Sequence, residues 1–169
     1  MKEVAQLLNA MCATGVISEY ALFGAIAQMR YTEPVGTLDA HVLVAVPLQD
    51  SPEVLTPIYE FCGARGYAPE GEAVRVGAWP VQFIPAFSTL TRDALQEADA
   101  VAFEAVPFRV VRADYLAVIA LSVGRAKDLT RILALLEGGS VTPEGIGSLA
   151  ERYGLSDAWQ RFQRRFLND

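Results

Sequence analysis

The stretch YALFGAIAQMRYTEPVGTLDAHVLVAV, residues 20–46, carries most of the information about the fold. Its first four residues predict a short buried strand, after which Gly24 opens a helix that runs towards Arg30. The segment 32–36 contains proline and glycine and therefore ends that helix. The continuous apolar run 42–46 then predicts a central strand that is covered on both faces.

The rest of the chain predicts a small sheet and then a series of helices. Apolar residues at helical spacing predict an amphipathic first helix over 4–11 that stops at Gly15, and residues 66–72 are expected to form a loop. Further strands are expected over 73–84 (a hairpin), 101–103 and 108–111, and further helices over 53–62, 89–98, 114–123, 125–137, 143–153 and 157–166. The predicted organisation is an α/β domain over 1–112 and a helical extension over 113–169, packed together as a single compact unit.

The composition indicates a compact globular protein and disfavours some partners. The chain has 169 residues, of which 52% are hydrophobic and 20% charged, so one well-buried core is expected. The net charge of −6 disfavours nucleic acid as a partner. There is no apolar run of membrane-spanning length and no secretory signal, so a soluble, cytoplasmic protein is expected. Cys12 and Cys62 form no CxxC pair and are interpreted as reduced core thiols.

The segment Thr37-Leu38-Asp39-Ala40-His41 is the main candidate for chemistry. His41 is the only histidine of the chain, so any histidine-dependent catalysis must use it. Side chains two residues apart on a strand share a face, and we therefore expect Asp39 and His41 to project together, as a metal chelate requires. The alternatives are a carboxylate that ends a loop and a histidine at a strand edge.

This arrangement resembles the nucleotidyltransferase superfamily, which includes DNA polymerase beta, aminoglycoside nucleotidyltransferases and the toxins of some toxin–antitoxin pairs. The pattern of that family is a strand, Gly-Gly or Gly-Ser opening a helix, and Thr-x-Asp-x-Asp leading into an apolar strand, with a third carboxylate on a neighbouring strand. Phe23-Gly24-Ala25 stands at the glycine turn, with Ala25 in place of the second glycine or serine. Thr37 and Asp39 match directly, and the strand 81–84 takes the third-carboxylate position. The segment 124–128, GRAKD, resembles small bacterial members related to abortive-infection toxins. The resemblance implies a mixed sheet flanked by helices, with a C-terminal helical tail.

The resemblance also implies a site that binds two Mg²⁺ ions and a nucleoside triphosphate. His41 stands where the second aspartate is expected, and Gln82 stands where the third carboxylate is expected. The implied catalytic positions are Asp39, His41 and Gln82, of which Asp39 and His41 would be the metal ligands. The implied nucleotide-binding positions are Gly24, Ala25, Thr37, Arg125 and Lys127.

Two missing carboxylates weaken the case for catalysis. Magnesium prefers charged oxygen ligands, whereas imidazole suits Zn, Co, Ni or Cu. At about 3 kcal/mol for each lost carboxylate, the rate would fall on the order of 10⁴-fold. We therefore expect a non-catalytic module that binds a nucleotide, a regulator or a protein partner, with Mg or Mn and NTP bound weakly or not at all.

The first alternative is an active metal-dependent nucleotidyltransferase that transfers a nucleoside monophosphate from NTP to an unknown acceptor and prefers Mn²⁺ or Co²⁺. The second is a scaffold subunit whose C-terminal helices contact a partner or a second copy.

Several of these residues also have a simpler interpretation. Arg125 and Lys127 are as well explained by a solvated helix face, and Gln82 by a solvent-facing position of a hairpin strand. The basic cluster formed by Arg161, Arg164 and Arg165 is expected at the surface. The aromatic stripe on the same helix, formed by Trp159, Phe162 and Phe166, is expected in the core or at a subunit contact.

Overall fold

The structure is a computed structural model that describes residues 1–47 and 53–167. Its strands form one sheet in the order β3-β4-β5-β2-β1-β7-β6. In chain order the strands are β1 (Glu19–Phe23), β2 (Ala40–Ala45), β3 (Ala68–Glu70), β4 (Ala73–Val76), β5 (Trp79–Pro85), β6 (Asp99–Phe103) and β7 (Val106–Val110). The pairs β2/β5 and β1/β7 are parallel, whereas β1/β2, β3/β4, β4/β5 and β6/β7 are antiparallel. The expected mixed sheet is therefore confirmed.

Helices precede, interrupt and follow the sheet strands along the chain. They are α1 (Lys2–Ala13), α2 (Gly24–Gln28), α3 (Thr56–Ala64), α4 (Thr89–Gln96), α5 (Ala113–Val123), α6 (Ala126–Glu137), α7 (Pro143–Arg152) and α8 (Ser156–Phe166). The helix predicted over 143–153 is α7, and Thr142 caps it: the Thr142 hydroxyl accepts a hydrogen bond of 3.1 Å from the backbone N–H of Gly145. None of the helices in the described part of the chain is long and apolar enough to span a membrane.

The apolar run 42–46 forms the central strand, as predicted. β2 is the fourth of seven strands, and Val42, Leu43 and Val44 are all buried. A strand with neighbours on both edges and cover on both faces needs apolar side chains at consecutive positions, which explains the absence of alternation.

The prediction of a loop over 66–72 is wrong, because Ala68–Glu70 is strand β3. All three residues of β3 are exposed, so the segment carries no apolar alternation that would indicate a strand. β3 lies at the edge of the sheet and pairs only with β4, where Pro69 can be accommodated without an N–H group. Gly71, with φ of +63°, makes the tight turn that brings the two strands together.

The chain divides into two compact units, one formed by residues 1–27 and 36–111 and the other by residues 28–35 and 112–169. The first unit holds the whole sheet with α1, α3 and α4. Buried residues of α1, including Leu8 and Met11, and buried strand residues such as Leu43 form its core.

The second unit is built around α5, an almost wholly apolar helix. Its residues 115–121 are all buried. α7 and α8 pack closely because position 147 is a glycine, where a Cβ atom would lie 3.0 Å from Nε1 of Trp159. The segment 28–35 joins this unit through specific hydrogen bonds: the Ser140 hydroxyl donates to the carbonyl of Tyr31 at 2.7 Å, and Arg131 Nε donates to Gln28 Oε1 at 2.9 Å.

Candidate functional site

Asp39 and His41 lie side by side where the chain enters β2, and their side chains contact each other. His41 Nε2 lies 3.1 Å from Asp39 Oδ2. The other carboxylate oxygen, Oδ1, accepts a hydrogen bond of 3.2 Å from the Thr37 hydroxyl, which also lies 3.0 Å from the Asp39 carbonyl oxygen. Both oxygens of Asp39 therefore already have partners within the segment 37–41. The two side chains are partly accessible, with 46% of Asp39 and 27% of His41 exposed.

The imidazole of His41 packs directly against Gly24. In the antiparallel pair of β1 and β2, Phe23 lies opposite His41, so the first residue of α2 falls beside the histidine. A Cβ atom at Gly24 would lie 3.1 Å from Nδ1 and 3.5 Å from Cβ of His41. Gly24 also has φ of +65°, a conformation that favours glycine. This glycine is required by the ring that covers it and by its own backbone conformation.

Replacing Gly24 with alanine should therefore lower the free energy of unfolding by about 1–3 kcal/mol, from the left-handed backbone and the contact with the ring. Gly15→Ala is the matched control, because Gly15 has φ of +75° and nothing within 4 Å of a Cβ atom. Urea denaturation measures both variants, alone and in a His41→Ala background. The excess cost of Gly24→Ala over Gly15→Ala should disappear in that background. An equal cost for the two glycines in the wild-type background would contradict the proposed contact.

Gln82 shares a face of the sheet with His41, because the two residues are partners in the parallel pair of β2 and β5. Its side-chain amide is held by a different carboxylate: Gln82 Nε2 donates to Glu72 Oε2 at 3.1 Å. Glu72 lies in the turn between β3 and β4. The position at which the third carboxylate is expected thus holds an amide, and this amide donates a hydrogen bond to a carboxylate in the β3–β4 turn.

Glu72 is the residue of this region that the sequence interpretation missed, and a signal for it existed. In the hairpin of β4 and β5, Val76 pairs with Trp79 and Val74 with Val81. Counting one step further from the turn places residue 73 opposite Gln82, and Glu72 immediately beyond it. Glu72 was left out because it precedes the hairpin predicted over 73–84, so the register was not extended to it.

The remaining candidate residues lie in two different units. Thr37, Gly24 and Ala25 belong to the first unit, together with Asp39, His41 and Gln82, whereas Arg125 and Lys127 belong to the second. Ala25 is the second residue of α2, a helix of only five residues. Lys127 is exposed on α6.

Arg125 is engaged by a neighbour on its own helix. It is the N-cap residue of α6, and its Nε donates a hydrogen bond of 2.7 Å to Asp128 Oδ2. That hydrogen bond and the charge of Asp128 raise the pKa of Arg125 above its ordinary value. The guanidinium keeps free donors on its exposed side, where 61% of the side chain is accessible.

Comparisons with known proteins establish the fold. No family model matches the chain, and no curated protein does either. The solution structure of the antibiotic-resistance factor ANT(2'')-Ia matches with a TM-score of 0.53 and 11% identity, over 96% of this chain and 98% of that chain. The crystal structure of an antigenic nucleotidyltransferase-like protein from Paracoccidioides brasiliensis matches with a TM-score of 0.54 and 12% identity, over 94% of this chain and 91% of that chain.

Proposed function

We propose that this chain, which has the fold of the nucleotidyltransferase superfamily, has lost nucleotide transfer and acts as a regulatory or partner-binding module. The observation that carries the proposal is the position of His41. Its ring bonds to the one aspartate of the expected triad and covers the glycine at the start of α2.

The charge of the three positions does not suit two magnesium ions. With a neutral imidazole, Asp39, His41 and Gln82 together carry a single negative charge. Magnesium requires hard oxygen ligands in near-octahedral geometry, and a two-metal site places two divalent cations close together. Within residues 1–47 and 53–167, no three histidine, cysteine, aspartate or glutamate side chains are grouped so that they could hold a metal ion. The donor set therefore does not fit that cofactor.

The hydrogen bonds of Asp39 also disfavour metal binding. A metal at this carboxylate would compete with the Thr37 hydroxyl for one oxygen and with His41 for the other. Each hydrogen bond contributes about 1 kcal/mol, which a cation at the same oxygen would have to replace. The pair of Asp39 and His41 is thus self-sufficient, and it fixes the loop 36–39 to the start of β2.

The space beside Gly24 supports the same conclusion. A glycine at the start of a helix allows a phosphate group to approach the backbone N–H groups only if the surface above it is open. Here the His41 ring lies within van der Waals contact of a Cβ at that position. A phosphate would have to displace the imidazole and break its bond to Asp39.

Nucleotide transfer by the purified protein tests this proposal. Wild-type protein and Asp39→Ala are incubated with each of the four radiolabelled ribonucleoside triphosphates and with Mg²⁺, Mn²⁺ or Co²⁺. We expect label to enter protein, RNA or small alcohols at the same background rate in both. Incorporation by the wild type that Asp39→Ala abolishes would overturn the proposal in favour of an active transferase with unusual ligands.

A further inference from the structure

The second unit contains a cavity that the proposed function does not use. Its volume is about 360 Å³, within the range of pockets that bind small molecules. It is lined by residues of α5, α6 and α8 and of the α5–α6 turn: Leu121, Gly124, Leu129, Ala158, Arg161, Phe162, Arg165 and Phe166. The lining thus combines four large apolar side chains with two cations.

Among the residues that the structure describes, the two cations lie within ion-pair distance of no carboxylate. Within residues 1–47 and 53–167, neither guanidinium forms a side-chain hydrogen bond, and that of Arg165 lies over the Phe166 ring, 4.9 Å from its centroid. By contrast, Arg125 and Arg131 of the same unit both pair with Asp128. Arg161 and Arg165 are four residues apart on α8, so they are neighbours on one helix face and repel each other.

This combination suits a ligand of one chemical class. Guanidinium groups bind carboxylates and phosphates in planar, often bidentate geometry. An anion between the two arginines would relieve their mutual repulsion, and an apolar body attached to it would cover Leu121, Leu129 and Phe162. We propose that this cavity binds a small amphipathic anion, with an apolar body in the cavity and a carboxylate or phosphate head between Arg161 and Arg165.

Four simple probes separate the contributions of head and body. Isothermal titration calorimetry is carried out on the full chain with octanoate, octyl phosphate, octanol and inorganic phosphate. We expect octanoate or octyl phosphate to bind, the tighter of the two identifying the head group, and both octanol and inorganic phosphate to bind at least tenfold more weakly. Octanol binding as tightly as the anions would overturn the proposal, and so would the absence of saturable binding by either amphipathic anion.

Variants of α8 test the location. Arg161→Ala and Arg165→Ala should each weaken binding about tenfold or more, the loss expected for a charge-assisted hydrogen bond. Arg164→Ala is the matched control, because Arg164 lies on the same helix with the same charge and does not line the cavity. Its affinity should stay within twofold of the wild type. Equal weakening by all three variants would mean non-specific attraction by the basic helix and would overturn the proposal.

An optical readout and a steric variant make the test independent of charge. Trp159 stacks on Phe162, with ring centroids 5.4 Å apart and planes inclined by 13°, so a ligand on Phe162 should change the fluorescence of Trp159. Trp79→Phe removes the other tryptophan of the chain, which has two. Ala158→Leu, which fills the cavity, should abolish the fluorescence change. A full response in Ala158→Leu would place the ligand elsewhere and overturn the proposal. None of these outcomes depends on whether the first unit transfers nucleotides.

Discussion

Replacing Asp128 with alanine is expected to lower the free energy of unfolding by about 3–5 kcal/mol, one of the two largest effects that the structure predicts. Only 3% of the Asp128 side chain is exposed, and the carboxylate contacts two arginines. Arg125 Nε lies 2.7 Å from Oδ2, and Arg131 Nη1 lies 3.6 Å from Oδ1. Chemical denaturation followed by circular dichroism measures the effect.

The cost comes mainly from Arg131, which the substitution would leave buried without its counter-ion. Only 14% of the Arg131 side chain is exposed, and burial lowers its pKa below the ordinary value while the charge of Asp128 opposes that shift. The remaining partner of Arg131 is the side-chain oxygen of Gln28, a neutral acceptor that is itself buried. Without Asp128, the arginine must either stay charged in an apolar setting or pull the helix open to water.

Arg125→Ala is the comparison that isolates this effect. It removes the exposed partner of the same carboxylate, and exposed ion pairs contribute about 1 kcal/mol or less. We therefore expect a small loss for Arg125→Ala and a large one for Asp128→Ala. If Asp128→Ala does not fold well enough to be measured, Asp128→Asn, which keeps one acceptor oxygen, should lie between the two. A cost for Asp128→Ala below about 1 kcal/mol would contradict the role assigned to the buried carboxylate.

The contacts of Asp128 show which features of α6 could be predicted from the sequence and which could not. The helical periodicity of 125–137 predicted α6, and the structure confirms it as Ala126–Glu137. The sequence also placed Arg125 and Lys127 as candidates for phosphate contacts, a proposal that stays untested. It could not show that Asp128 is buried, because an acidic residue in the first turn of a helix is usually explained by the helix dipole. Arg131 is one helical turn away on α6, but the bond that holds Arg131 to Gln28 joins residues 103 positions apart, and such a long-range contact cannot be read from the sequence.

The first unit gives a similar lesson. The apolar run 42–46 and the proline-glycine break before it were sufficient to predict the central strand. β3 was missed because its three residues are all exposed and show no alternation of apolar and polar side chains. The strand forms through its hydrogen bonds to β4, which a hydrophobic pattern does not reveal. The contact of His41 with Gly24 was also beyond the sequence, since it depends on the register that places Phe23 opposite His41. Spacing alone did predict that Asp39 and His41 share a face, and their side chains are 3.1 Å apart.

That register leads to the second large prediction, in which carboxylates are introduced at positions 41 and 82. The double variant with His41→Asp and Gln82→Asp should bind Mg²⁺ together with a nucleoside triphosphate, whereas the wild type should not. Residues 41 and 82 are partners in the parallel pair of β2 and β5, so the new carboxylates would lie on one face with Asp39 beside them. The substitution at 41 also removes the ring that covers Gly24.

Without a cation, the double variant should be less stable than the wild type. Three carboxylates would crowd the start of β2 and β5, and Gln82→Asp would also replace the amide that donates to Glu72 with a like charge. Mg²⁺ should relieve this repulsion. A nucleotide at one hundred times its Kd would add about 2.7 kcal/mol, which for a chain of this size raises Tm by roughly 5–10 °C.

A thermal-shift comparison with a matched control decides the matter. His41→Asn combined with Gln82→Asn has nearly the same shape as the double aspartate variant, removes the same imidazole and adds no charge. If positions 39, 41 and 82 have the geometry of a metal site, Mg²⁺ and ATP should raise the Tm of the aspartate variant by several degrees and leave that of the asparagine variant within about 1 °C, because only charged oxygens can hold the cation. A shift of equal size in both variants would show that opening the space at Gly24 is enough and that metal charge is not involved. No shift in the aspartate variant would show that the backbone does not place positions 39, 41 and 82 as a metal site, whatever side chains they carry.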